Sequence, residues 1–181
     1  MQKHIEDLLD FNIVLDSTSL QDSELIQIND VVLQVISDRK LDIKRKKLTF
    51  NKNLNDIVLI SNRKQIAVII DNILSNAIKY SPDEGEINIS SSLSNEQLQL
   101  QISDQGIGIA QENQNKIFDA FYQGPPPEIS IIKGSGLGLT IVKELLLRLN
   151  GSIEVLNVPN NCQGTRIQIT LPRAFYQEEQ V

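Results

Sequence analysis

The chain has 181 residues, 40% hydrophobic and 22% charged, a length and balance that suit one domain with its own core. A net charge of −6 and a pI of about 4.8 argue against nucleic acid as the main partner. The single cysteine, Cys162, rules out an intrachain disulfide, no apolar run approaches the ~20 residues of a membrane span, and MQKHIEDLLD is too charged for a signal peptide. The expectation is a soluble, intracellular-type domain. Aromatics are only 4% with no Trp, so its core must be aliphatic.

Residues 3–15 place Ile5, Leu8, Leu9 and Leu15 at helical spacing, and 16–23 (DSTSLQDS) reads as a linker. Leu25, Ile26 and Ile28 suggest a strand. Asn29 or Asp30 is the expected cap of a helix carrying Val31, Val32, Val35 and Ile36, which ends near the basic cluster Arg39, Lys40 and Lys44 to Lys47. That cluster reads as a helix C-terminus in water or as a docking surface. KLTFN (47–51) and DIVLI (56–60) are short strands, and Asn62 caps a helix over 63–80 with Ile66, Ile69, Ile70, Ile73, Leu74 and Ala77 on one face. Residues 86–92 and 97–103 alternate as a hairpin with SNE as its turn. A short helical stretch over 111–118, a long loop over 123–136, a helix over 137–149 and strands near 151–157 and 164–171 complete the order. Elements mix without βαβ regularity, so an α+β sandwich is expected.

Four stretches carry candidate chemistry: NILSNAIKY (72–80), DQGIGIA (104–110), IFDAFYQ (117–123) and GSGLGLTIVKELL (134–146). In the first, Asn72, Asn76 and Lys79 share one helix face. That stripe is either the wet side of the helix or a ligand face, where an Asn carbonyl suits Mg²⁺ and Lys79 answers phosphate charge. In the second, Asp104 either bonds turn amides locally or accepts a hydrogen bond from the exocyclic amine of adenine, with Gly106 and Gly108 allowing close approach. The third places Phe118 and Phe121 beside the long loop. The fourth puts three glycines before a helix, whose N-terminal amides suit phosphate. No Gly-Lys-Ser/Thr follows, and the spacing is not G-x-G-x-x-G, so P-loop and Rossmann readings fail.

In this order the stretches resemble the N, G1, F and G2 boxes of the ATP-binding domain of sensor histidine kinases, within the gyrase-like and chaperone-like ATPases. GTRIQITLP (164–172) resembles the closing strand of that domain. The resemblance implies a two-layer α/β sandwich, three helices on a mixed five-stranded sheet, over 22–173. Residues 1–21 would be the end of a dimerisation-hairpin helix and a linker, and 174–181 a tail. It implies ATP and Mg²⁺ as cofactors, with Asn76 as metal ligand, Asn72 supporting it and Lys79 on phosphate as the catalytic set. Tyr80 would lie along the nucleotide, and Asp104, Gly106, Gly108 and Thr165 would form the adenine pocket. Phe118 and Phe121 would anchor a lid over 123–136. Lys133, Gly134, Gly136, Leu137, Gly138 and Leu139 would wrap the phosphates. The implied partners are the phospho-accepting hairpin of the same kinase and a response regulator. The parent would be a homodimer on the cytoplasmic side, anchored in the membrane, and this chain alone a monomer.

Three departures stand out. Many relatives have a basic residue where this chain has Gln123, and paired glycines where Lys133 stands. His4, the only histidine, is followed by IEDLLDF rather than by an acid and a Pro, so the accepting histidine is expected upstream. The alternatives are an ATP hydrolase, which in the resembling relatives needs a Glu at the position of Asn72, and a non-catalytic nucleotide-binding module. An amide cannot act as the base that Glu provides.

Overall fold

A computed structural model describes residues 23–124, 135–157 and 163–173. The amphipathic stretch 3–15, His4, Cys162, most of the 123–136 loop and the tail lie outside the described residues.

Strand β1 (Glu24–Gln27) runs directly into helix α1 (Ile28–Asp38), and α2 (Lys40–Lys46) follows after one residue. Strands β2 (Thr49–Leu54) and β3 (Val58–Ser61) lead to α3 (Arg63–Tyr80). Next come the hairpin β4 (Glu86–Ser94) and β5 (Gln97–Asp104), helix α4 (Gly138–Arg148), and strands β6 (Ser152–Leu156) and β7 (Arg166–Pro172). The main sheet has the order β2-β4-β5-β7-β6, with β2 and β4 parallel and the other pairs antiparallel. A separate two-stranded sheet pairs β1 with β3. This is the expected α+β sandwich with a mixed five-stranded sheet.

Period-two alternation explains why the helices cover one face only. Ile87 and Ile89 of β4, Leu98, Leu100 and Ile102 of β5, and Ile167, Ile169 and Leu171 of β7 are buried. Opposite partners such as Ile89 and Ile102, or Leu100 and Ile169, stack across the strands. Against them pack Ile66, Ile69, Ile70, Ile73, Leu74 and Ala77 of α3, the helix stripe read from spacing. Helix α3 lies between α1 and α4 and rests on β5. Truncating a fully buried isoleucine here, such as Ile70→Ala, removes contacts worth about 2–5 kcal/mol.

The other sheet face is amide- and hydroxyl-rich. Gln101 Nε2 donates to Gln168 Oε1 at 2.7 Å, and Gln168 Nε2 donates to Glu154 Oε1 at 2.9 Å. Many of the chain's interspersed Asn and Gln residues thus form the wet face of a one-sided sheet.

Some local expectations need correction. Neither Asn29 nor Asp30 caps α1: Gln27 stands at that position without a side-chain capping bond, and Ile28 begins the helix rather than ending the strand. Pairing decides this, because the Ile28 N–H donates to the Ile57 carbonyl at 3.1 Å and Asn29 Nδ2 is engaged by Asp56. The basic cluster does not trail off α1 but forms its own helix, α2, set off by Arg39 at φ −93 and ψ 7, with Lys44, Arg45 and Lys46 in its last turn and Lys47 closing it in the left-handed conformation. The same Lys47 delays β2 to Thr49. The stretch 111–118 is two 3₁₀ turns, Gln111–Asn113 and Lys116–Phe118, not one helix. The SNE turn is a two-residue connection whose Asn95 and Glu96 both have positive φ, as tight hairpins require.

Candidate functional site

Three pieces of the fold meet along α3. Its cap is local chemistry: Asn62 accepts from the Gln65 N–H at 3.1 Å, satisfying one of the helix's orphan donors. From there Asn72, Asn76, Lys79 and Tyr80 fall on the C-terminal half, all only partly buried.

Near the helix end stands the turn after β5. Strand pairing brings Asp104 beside the start of β7, where its N–H donates to the Thr165 carbonyl at 2.9 Å. The carboxylate Oδ1 accepts from the N–H of Gly106 at 2.8 Å and from that of Thr165 at 3.2 Å. Among the described residues nothing donates to Oδ2. Burial pushes the carboxyl up to about 6, against the pull of those two N–H groups. A half-buried acceptor with one oxygen held and the other open is built to meet a donor.

Glycine is required around it. A Cβ on Gly106 would stand 2.6 Å from the Tyr80 carbonyl oxygen, so this turn rests on the last turn of α3. Gly108 has φ +76 and faces the Gly164 carbonyl, while a Cβ on Gly164 would run into the Asp104 carbonyl. Gly164 was not singled out from sequence. Its signal is faint, a lone glycine before Thr165, and its meaning appears only when β5 and β7 are paired.

About 12 Å back along the helix axis, at 1.5 Å per residue, α3 meets the N-terminus of α4. Asn72 Nδ2 donates to the Val68 carbonyl at 2.9 Å, and a Cβ on Gly138 would lie 2.6 Å from Asn72 Oδ1. Gly138 and Leu139 open α4, preceded by Leu137, which is buried. Gly136, at φ +74, packs on the Phe121 backbone, and the Phe121 N–H donates to the Gly136 carbonyl at 3.0 Å. Phe118 is half-buried in its 3₁₀ turn against α4. Phe121 is 71% exposed, so its hold on the G2 stretch is through the backbone. Lys133 and Gly134 lie outside the described residues. The Lys79 ammonium stands 4.8 Å from the Tyr80 ring centroid and 3.3 Å from its hydroxyl. No described residue hydrogen-bonds the Asn76 amide.

The expected site residues that are described thus follow the C-terminal half of α3, from the Asp104 carboxylate near its end to the glycine-opened N-terminus of α4 at Asn72. A cavity of about 440 Å³ opens nearby, lined by Ile107, Ile109, Val155 and Leu156 among others. Gly108, Gly164 and Thr165 also line it, so it adjoins the Asp104 turn and shares residues with the expected adenine pocket, although no residue of α3 lines it.

Residues 61–174 match the family described as histidine kinase-, DNA gyrase B-, and HSP90-like ATPase. The chain belongs to that family. It is 34% identical over 169 residues to the sensor histidine kinase WalK of Bacillus subtilis, covering 88% of this chain and 27% of that protein. Among solved structures it resembles the mycobacterial sensor histidine kinase MprB, with a TM-score of 0.72, 27% identity and coverage of 83% of this chain and 97% of that one. The Acinetobacter baumannii histidine kinase AdeS aligns with a TM-score of 0.74 at 25% identity, over 94% of this chain and 77% of that one. Within the family the chain is an ATP-binding catalytic domain of the sensor histidine kinase type. It spans less than half the length of the curated relatives it matches, 27% of WalK and 36% of GlrK of Escherichia coli. No described helix is long and apolar enough to cross a membrane.

Proposed function

We propose that this domain binds Mg-ATP along α3 and presents the γ-phosphate to a histidine on a dimerisation hairpin, from which it passes to a response-regulator aspartate. One observation supports the reading: Asp104, with its open Oδ2, stands near the C-terminal end of α3 and the Gly138 helix N-terminus packs on Asn72, with the partly buried Asn72, Asn76, Lys79 and Tyr80 along the helix between them.

Asp104 Oδ2 would accept the adenine amine, with Gly106, Gly108 and Thr165 shaping the pocket and Tyr80 alongside. Lys79 would leave its own Tyr80 to meet phosphate oxygens. The amides from Gly136 to Leu139, with Lys133 and Gly134 before them, would cradle the chain of phosphates. Asn76 fits Mg²⁺, because its amide oxygen is a hard ligand and no described side chain competes for it; Asn72 supports the site from one turn back. The metal would neutralise phosphate charge during transfer. This half of the machine works by positioning and charge, since the nucleophile is the hairpin histidine. Neither Asn72 nor Asn76 can activate water as a carboxylate would, which favours transfer over hydrolysis. The parent would be a homodimer working on the cytoplasmic side, with residues 1–21 continuing into the hairpin.

The test is transfer in trans. With γ-labelled ATP the isolated chain should label little, because His4 lacks the acceptor's flanking pattern. Adding a separately made hairpin that carries an acceptor histidine should give acid-labile label on the hairpin, weakly because tethering is lost. Asn76→Ala should abolish that label and leave the circular dichroism unchanged. Strong labelling of the chain alone, lost in His4→Gln, would overturn the assignment of roles.

A further inference from the structure

Lys46 ends α2 with its ammonium turned onto the end of α3. Its Nζ lies 3.0 Å from the Ile78 carbonyl oxygen, 3.0 Å from that of Lys79 and 2.6 Å from that of Ser81. The last carbonyls of a helix have no partner within it. An ammonium has three N–H donors, so three carbonyls use all of them, and its charge meets the negative end of the helix dipole. The site is partly withdrawn from water: burial pulls the Lys46 ammonium below its usual range.

This grip has a second point. Arg39, just before α2, forks onto Asp71 with Nε 2.7 Å from Oδ1 and a second contact from its terminal nitrogen to Oδ2. Helix α2 is therefore tied to α3 one residue before Asn72 and again at Lys79. What Lys46 holds is the turn that carries Lys79 and Tyr80, and the Tyr80 carbonyl is the surface on which the Gly106 turn rests.

We propose that Lys46 is a positioning residue of the nucleotide site: without touching nucleotide, it fixes the last turn of α3 so that Lys79 is aimed at phosphate. The proposal rests on the nucleotide reading above and extends it to a residue outside all four boxes. A neutral side chain there leaves three half-buried carbonyls without donors, and the last turn frays with Lys79 on it.

The experiment compares wild type with Lys46→Met, Lys46→Arg, Lys79→Met and the double variant, by titration calorimetry with Mg-ATP on the whole chain. Lys46→Met should weaken binding about tenfold and Lys46→Arg, which keeps the donors, by less than about threefold. In the Lys79→Met background the Lys46→Met change should cost less than about twofold, because its effect runs through Lys79. Should Lys46→Met fail to fold, Lys46→Gln replaces it with the same expectation in direction. Wild-type affinity in Lys46→Met or Lys46→Gln, or losses that simply multiply in the double variant, would overturn the proposal. Absence of binding by wild type would instead defeat the nucleotide reading itself, and this proposal with it.

Discussion

At Asp104 two backbone donors converge on one oxygen while burial raises the carboxyl to about 6. An unfolded Asp titrates near 3.9, so the folded chain holds the proton more tightly than the unfolded one. Stability contributed by the protonated form is full below about pH 4 and lost as pH rises through about 6. Asp104→Asn keeps Oδ1 for Gly106 and Thr165 and removes the charge. It should therefore raise the stability of the free chain on the order of 2 kcal/mol at pH 7.5 and much less at pH 4.5, as read from urea unfolding. The same variant turns an NH₂ toward the adenine amine, so Mg-ATP affinity should fall at least about tenfold. A variant no more stable at pH 7.5, or one binding ATP as wild type, would contradict this account. Asp104, Gly106 and Gly108 were legible as a group because they fall inside one short motif, whereas Thr165 was named only through the family resemblance. Gly164 and Lys46 were not legible, because each acts on a backbone distant in sequence and has no local pattern of its own.

At the scale of elements, α3 was read to the residue because a polar cap, an aliphatic stripe and a following Ser-Pro agree on its limits. The α1–α2 region was not, because strand pairing at Ile57 sets where α1 begins and contacts to α3 set where α2 lies. Lys47 illustrates the cost. It adopts φ 53 and ψ 37 as the cap of α2, a conformation that suits glycine and strains a residue with a Cβ. Its ion pair with Glu84 is exposed and contributes little. Lys47→Gly should stabilise the chain by about 0.5–1 kcal/mol in urea unfolding, without change in nucleotide affinity. Destabilisation would show that the backbone at 47 is not left-handed.

For the whole molecule, composition foretold an aliphatic core, and period-two and period-3.6 stripes foretold which faces meet. Strand order was beyond reach, since β2-β4-β5-β7-β6 depends on pairings such as Ser103 with Arg166 that no local pattern encodes. That order is what carries Asp104 and Thr165 together and sets both at the end of α3. The account's central claim is that this arrangement reads adenine through the open oxygen of Asp104 while α4 holds phosphate. Titration calorimetry of the wild-type chain with Mg-ATP and with Mg-GTP tests it most directly, because guanine presents a carbonyl where adenine has its amine. Saturable binding of ATP with GTP at least about tenfold weaker is the predicted result; equal affinity for the two, or no binding of ATP, would contradict it.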